Sequence, residues 1–112
     1  MADEALTEIV RKGRRALAKW RRDNPEVVLD LVEAKLSEAS LAGSNLRRGN
    51  LLGADLSQAR LVGANLTGAD LTRANLTGAD LTRADISGAR LFRATLCNAR
   101  LDSANLSHAV LQ

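Results

Sequence analysis

Branched aliphatic residues fall on every fifth position from Leu36 to Leu111 without an insertion or a deletion. The run includes Leu56, Leu61, Leu66, Leu71, Leu76, Leu81, Ile86 and Leu91, which form the candidate core, and continues through Leu96, Leu101, Leu106 and Leu111. Two residues before each aliphatic stands a small residue, Ala everywhere except Ser44 and Gly49. An α-helix cannot bury this pattern, because five residues advance about 140° beyond a full turn and spread the leucines around the axis. A continuous strand cannot either, because side chains alternate with period two and five is odd. A short extended piece followed by a corner does bury it. In Ala-X-Leu the outer two residues point inward and the middle one points out, and the next two residues turn the chain.

The second residue after the aliphatic is glycine at Gly43, Gly53, Gly63, Gly68, Gly78 and Gly88. Glycine supplies the positive φ of a type II turn. The same position holds Arg48, Gln58, Arg73, Arg83, Arg93 or Asn98 in other pentads, so corners of mixed type are expected. Four sides close a coil of 20 residues. Coils spaced by the inter-strand distance would then stack four deep to about 19 Å.

The motif Ala-(Asp/Asn)-Leu-X-X, as in Ala64-Asn65-Leu66-Thr67-Gly68 and Ala69-Asp70-Leu71-Thr72-Arg73, resembles that of the pentapeptide-repeat proteins. The resemblance implies an all-β solenoid, the right-handed quadrilateral β-helix of that family. The early pentads depart from the motif at Lys35, Ser40 and Ser44.

Ahead of the repeats, Leu6, Ile9, Val10, Gly13, Ala16, Leu17 and Trp20 share one face at helical spacing. The spacing predicts one amphipathic helix from Asp3 to about Arg22, begun by an Asp3 cap and stopped at Asp23-Asn24-Pro25. The domain reading is a capping helix over 1–23, a link over 24–33 and the β-helix over 34–112. Solenoid ends need covering, and the segment resembles the amphipathic element ahead of many pentapeptide arrays. Its basic face, Arg11, Arg14, Arg15, Arg21 and Arg22, is expected to look outward, where it could meet an anionic membrane or an acidic partner. The last coil is expected to show an apolar end through Leu96, Leu101, Leu106, Leu111 and Val110. This predicts a homodimer through the C-terminal coils.

Charge and chemistry narrow the function classes. Residues 1–33 carry seven basic and seven acidic groups, so the net charge of +3 resides in the repeats, with nine basic against six acidic from Ala34 onward. Some family members resemble duplex DNA and protect DNA gyrase from quinolones, and that role needs an acidic surface. Gyrase modulation therefore stands as an alternative, beside binding of DNA or membrane through basic groups. Residues 20 apart stack, so Arg73 and Arg93 should lie one above the other, near Arg90, Phe92 and Leu52. A basic strip beside an outward aromatic is a candidate surface for an unknown protein partner.

One His, His108, and one Cys, Cys97, fall on different sides by register. They offer neither a metal set nor a nucleophile pair. The aspartates follow the repeat rather than converging, and a filled tower has no catalytic cleft. The expectation is a non-catalytic interaction or scaffold module with no cofactor and no small-molecule substrate. The acidic start, without a secretory apolar run, and the absence of a span-length apolar stretch point to the cytoplasm.

Overall fold

The computed structural model describes residues 3–111. The chain opens with two short helices, α1 (Glu4–Arg11) and α2 (Arg14–Asp23). It then winds so that residues 20 apart form parallel bridges, beginning with Asp30 to Asn50 and ending with Arg90 to Val110. Each pentad contributes one bridged residue and pairing returns after four pentads, so the coil has four sides. A side is too short for a ladder of consecutive residues, and among the described residues the coils pair by single bridges. The molecule measures 32 × 22 × 22 Å.

The inward Ala and Leu positions are buried from Leu29 through Leu91 and form one continuous cluster. Burying a leucine stabilises by about 1.5–3 kcal/mol, and this chain repeats that gain at each pentad from Leu31 to Leu91. The bridges start at Asp30, inside the segment expected to be a link. Leu29-Asp30-Leu31 makes a first side although it lacks the small inward residue. Its fit is explained 20 residues later. A Cβ on Gly49 would lie 3.2 Å from Leu29 Cδ2 and 3.0 Å from the Leu46 carbonyl oxygen. Large Leu29 is therefore accommodated by absent bulk at Gly49, the position directly beneath it.

The corners are not mixed. The third residue of every corner has positive φ, from 56° at Arg48 to 69° at Gly78, whether or not it is glycine. Each corner also closes with the N–H of the next small residue donating to the aliphatic carbonyl, as in Ala74 to Leu71 at 2.9 Å. Positive φ at the third residue together with this bond defines one turn geometry throughout. Stacking imposes it, because all four corner columns must keep their pitch. Glycine has a second use at some corners. A Cβ on Gly78 would meet the Gln58 side chain, and one on Gly53 would meet the Glu33 side chain, each residue coming from the coil before.

The single helix expected over Asp3–Arg22 is two. The Asp3 carboxylate does accept from Ala5 N–H at 2.9 Å at the start of α1. However, Gly13 breaks the run at φ 108° and ψ −175°, a conformation open essentially to glycine alone. Leu6, Val10 and Leu17 are buried in the same cluster as the repeat leucines, with Trp20 packed against it. The break lets the two helices turn across the end of the coil. The Asn24 side chain and backbone N–H both donate to the Trp20 carbonyl and end α2.

Candidate interaction surfaces

The outward residue of each side does more than face solvent. Where it is Asp or Asn, its Oδ1 accepts from the N–H two residues on, as in Thr67 to Asn65 and Thr72 to Asp70, each at 3.0 Å. At Ser57, Thr82, Ser87 and Ser107 the hydroxyl donates to the same oxygen, at 2.6 Å from Ser87 to Asp85 and 2.5 Å from Thr82 to Asp80. These bonds hold the Asp80 and Asp85 carboxyls below the usual carboxylate range, the hydroxyl being the largest cause in each. The residue type thus answers a local turn requirement. Arg60, Asp80 and Arg100 stack in one column, but Asp80 turns to Thr82, and Arg100 lies 4.0 Å from Asp102.

Exposed apolar side chains occur at the C-terminal end, as they do at Val27 and Val28 between α2 and the first side. Leu91 is buried, Leu96 and Leu101 are half-buried, and exposure rises to 39% at Leu106, 47% at Val110 and 65% at Leu111. The N–H groups of Leu96, Leu101 and Leu106 donate to no acceptor among the described residues, whereas those of Leu76, Leu81 and Ile86 each donate to the following coil at 2.7–2.8 Å.

At the opposite end the helix arginines divide. Arg11 does not look outward. Its Nη1 donates to the Lys35 carbonyl at 2.8 Å and its Nη2 to that of Ser37 at 3.4 Å. Arg21 repeats the arrangement on Asn45 and Arg47 at 3.1 and 2.9 Å. Burial, and then nearby Arg47, lower the affinity of Arg21 for its proton. Arg14 lies across the Gly43 corner, within 3.3 Å of where a Cβ would stand. Arg15 and Arg22 remain exposed. The expected basic face is therefore smaller than the helix sequence implied. The signal that could have separated Arg11 and Arg21 from the rest is their ten-residue spacing, which matches two opposite sides of the coil.

The lateral strip lies where its register put it. Arg73, Arg90 and Arg93 are exposed and form no ion pair among the described residues. Phe92 is 41% exposed, with the Arg93 guanidinium 5.4 Å from its ring centre. Leu52 is half-buried higher in the same column. Cys97 is exposed, and among the described residues no group of His, Cys, Asp and Glu is arranged to hold a metal. The concavity between α1 and the first coil is lined by Glu4, Thr7, Glu8, Arg11, Glu33, Ala34, Lys35 and Ser37. Among the described residues no helix is long and apolar enough to cross a membrane.

The profile of the family described as pentapeptide repeats matches in eight copies over residues 30–61, 50–88, 59–96 and 89–112. The chain belongs to the pentapeptide-repeat family, whose members form right-handed quadrilateral β-helices. Among solved structures it is similar to a pentapeptide repeat protein from Nostoc PCC 7120, with 38% identity and a TM-score of 0.74 over 84% of this chain and 76% of that one. It is similar to one from the cyanobacterium Cyanothece 51142, with 37% identity and a TM-score of 0.73 over 74% and 57%. A third is a pentapeptide repeat protein of the Arabidopsis thaliana thylakoid lumen, with 38% identity and a TM-score of 0.68 over 70% and 54%. The chain thus spans little more than half the length of the latter two. Among curated proteins, none matches the sequence.

Proposed function

We propose that this protein is a non-catalytic scaffold that self-associates end to end through its C-terminal coil, with the helical pair serving as the N-terminal cap of a four-coil tower. Members of this family are generally structural or interaction modules. The observation that carries the reading is the contrast between the two ends. At the N-terminal end, Leu6, Val10 and Leu17 are packed away with the core. At the C-terminal end, Leu106, Val110 and Leu111 are exposed beside N–H groups that are unpartnered among the described residues.

That edge suits a second copy of itself. The Ala94 carbonyl and the Leu96 N–H flank Thr95, and the same arrangement recurs at Ala99 and Leu101. A donor and an acceptor on either side of one residue pair with their own copy in the antiparallel sense about a two-fold axis. Light scattering over rising concentration is expected to show a dimer. The variant Leu106→Asp/Val110→Asp should be monomeric with an unchanged circular dichroism spectrum. A wild-type chain that stays monomeric throughout defeats the reading.

A second contact has its own support. Arg73, Arg90 and Arg93 form no ion pair among the described residues and lie beside exposed Phe92, a combination suited to an acidic segment of a partner protein. Arg73→Glu/Arg93→Glu should abolish retention on immobilised poly-glutamate, and wild-type retention should fall with salt. Equal retention of wild type and variant removes this contact. Modulation of gyrase by DNA mimicry has less support, since the repeats carry more basic than acidic groups.

A further inference from the structure

Within the tower, two carbonyls on each side accept from the preceding coil. Asn65 and Thr67 accept from the N–H groups of Leu46 and Arg48, both at 2.8 Å. One coil nearer the N-terminus, the equivalent carbonyls belong to Asn45 and Arg47, and these are the two that Arg21 holds at 3.1 and 2.9 Å. The opposite side repeats the substitution. Asp55 and Ser57 accept from the backbone of Leu36 and Glu38 at 2.8 and 2.9 Å. Their counterparts, Lys35 and Ser37, accept from Arg11. A guanidinium is planar, stays charged and carries its N–H donors in a fixed fork. Each fork therefore occupies the place of two amides that a preceding coil would present.

The C-terminal end carries those same amides without acceptors: among the described residues the N–H groups of Leu96 and Asn98, in the register of Lys35 and Ser37, and of Leu106 and His108, in the register of Asn45 and Arg47, are unpartnered. The end of one copy thus offers the donors that the N-terminal rim of another would accept, in the register the tower already uses. Such a contact is heterologous. It would not close, and each added copy would present a fresh end.

We infer that Arg11 and Arg21 occupy the N-terminal rim against the C-terminal end of a second copy, so that the chain cannot stack head to tail and its C-terminal ends are left to meet each other. This rests on the proposal that the C-terminal end self-associates. It adds a second, latent interface on the same molecule, and names its occupant as another copy of this chain. The helices bring the forks to opposite sides because each arginine precedes its two carbonyls by 24 and 26 residues.

The test is sedimentation velocity of the 112-residue chain and of Arg11→Ala/Arg21→Ala over the same concentration range. The variant is expected to exceed the mass of a dimer and to keep growing with concentration. Trp20 emission should shift to the red as α2 lifts from the rim. Adding Leu106→Asp/Val110→Asp should abolish growth, because it removes the end that docks. Should the alanine variant fail to fold, Arg11→Lys/Arg21→Lys serves instead, since one ammonium lacks the fork that spans two carbonyls, and it too should grow. A folded variant that holds the wild-type mass across the range overturns the inference even if the wild type is a dimer. A monomeric wild type beside a growing variant supports the blocked rim while removing the two-fold dimer.

Discussion

Ten corner residues that are not glycine hold φ near 60°, a conformation costing L-residues roughly 1–2 kcal/mol each. The closing turn bond is made at every one of them, and inside the tower inter-coil bonds add to it, as from Arg73 N–H to the Phe92 carbonyl at 2.8 Å. This is why the expectation of mixed corners failed: glycine at some corners marked the conformation, but its absence at others did not mark a different one. Tertiary stacking overrode residue preference. Buried Ser44 shows the opposite kind of compromise. It occupies an inward alanine position, fully buried, and its hydroxyl has no hydrogen-bond partner. An unsatisfied buried hydroxyl costs about 1–3 kcal/mol, so Ser44→Ala is expected to raise unfolding stability by an amount in that range, read from urea denaturation. Titration gives a further prediction at this scale. The carboxyls of Asp80 and Asp85 are depressed in the folded state. Their contribution is therefore complete above the unfolded carboxylate pKa and is lost as pH falls through the lower folded value. Stability should drop on the acid side, below about pH 4. Asp80→Asn/Asp85→Asn should flatten that drop, because an amide oxygen keeps the turn bond without titrating. A slope unchanged by the double substitution would assign the acid loss to other groups.

At the scale of elements, the repeat was legible because one five-residue period sets every side. Leu56 through Leu91, with their alanines, are buried as the pattern requires. The first side was less legible. Leu29 breaks the small-residue rule, and only its stacking over Gly49 reveals the compensation. The local use of Asp and Asn was also hidden. Periodicity shows that a residue faces outward, but not that its oxygen closes onto the N–H two positions later. The helical segment gives the clearest reversal. Read as one helix, Gly13 is an interior weakness and alanine there should help by about 1 kcal/mol. In the structure Gly13 turns the chain between α1 and α2 at φ 108°. Gly13→Ala should therefore destabilise, by about 1–3 kcal/mol, and release Trp20 from the core. The measurement is thermal unfolding followed by Trp20 fluorescence. A higher melting temperature for the variant would restore the single-helix reading.

For the whole molecule, the unequal ends matter most. On two sides of the N-terminal rim the carbonyls are occupied by Arg11 and Arg21, while among the described residues the C-terminal edge carries unpartnered N–H groups and exposed apolar side chains. The register made the exposed C-terminal positions legible, because Leu96 to Leu111 continue the repeat in phase. The arginine forks were not legible, because amphipathicity sorts a helix into two faces and places every charge on the outer one. Long cationic side chains can reach back along apolar surface, and the rim carbonyls gave these two a reason to do so. The most direct test of the self-associating scaffold is residue-resolved amide hydrogen exchange of the full chain at low and high protein concentration. The amides of Leu96, Leu101 and Leu106 should exchange more slowly as concentration rises, while those of Leu36, Leu41 and Leu46 stay unchanged. Exchange at the C-terminal edge that is fast and independent of concentration would contradict the account.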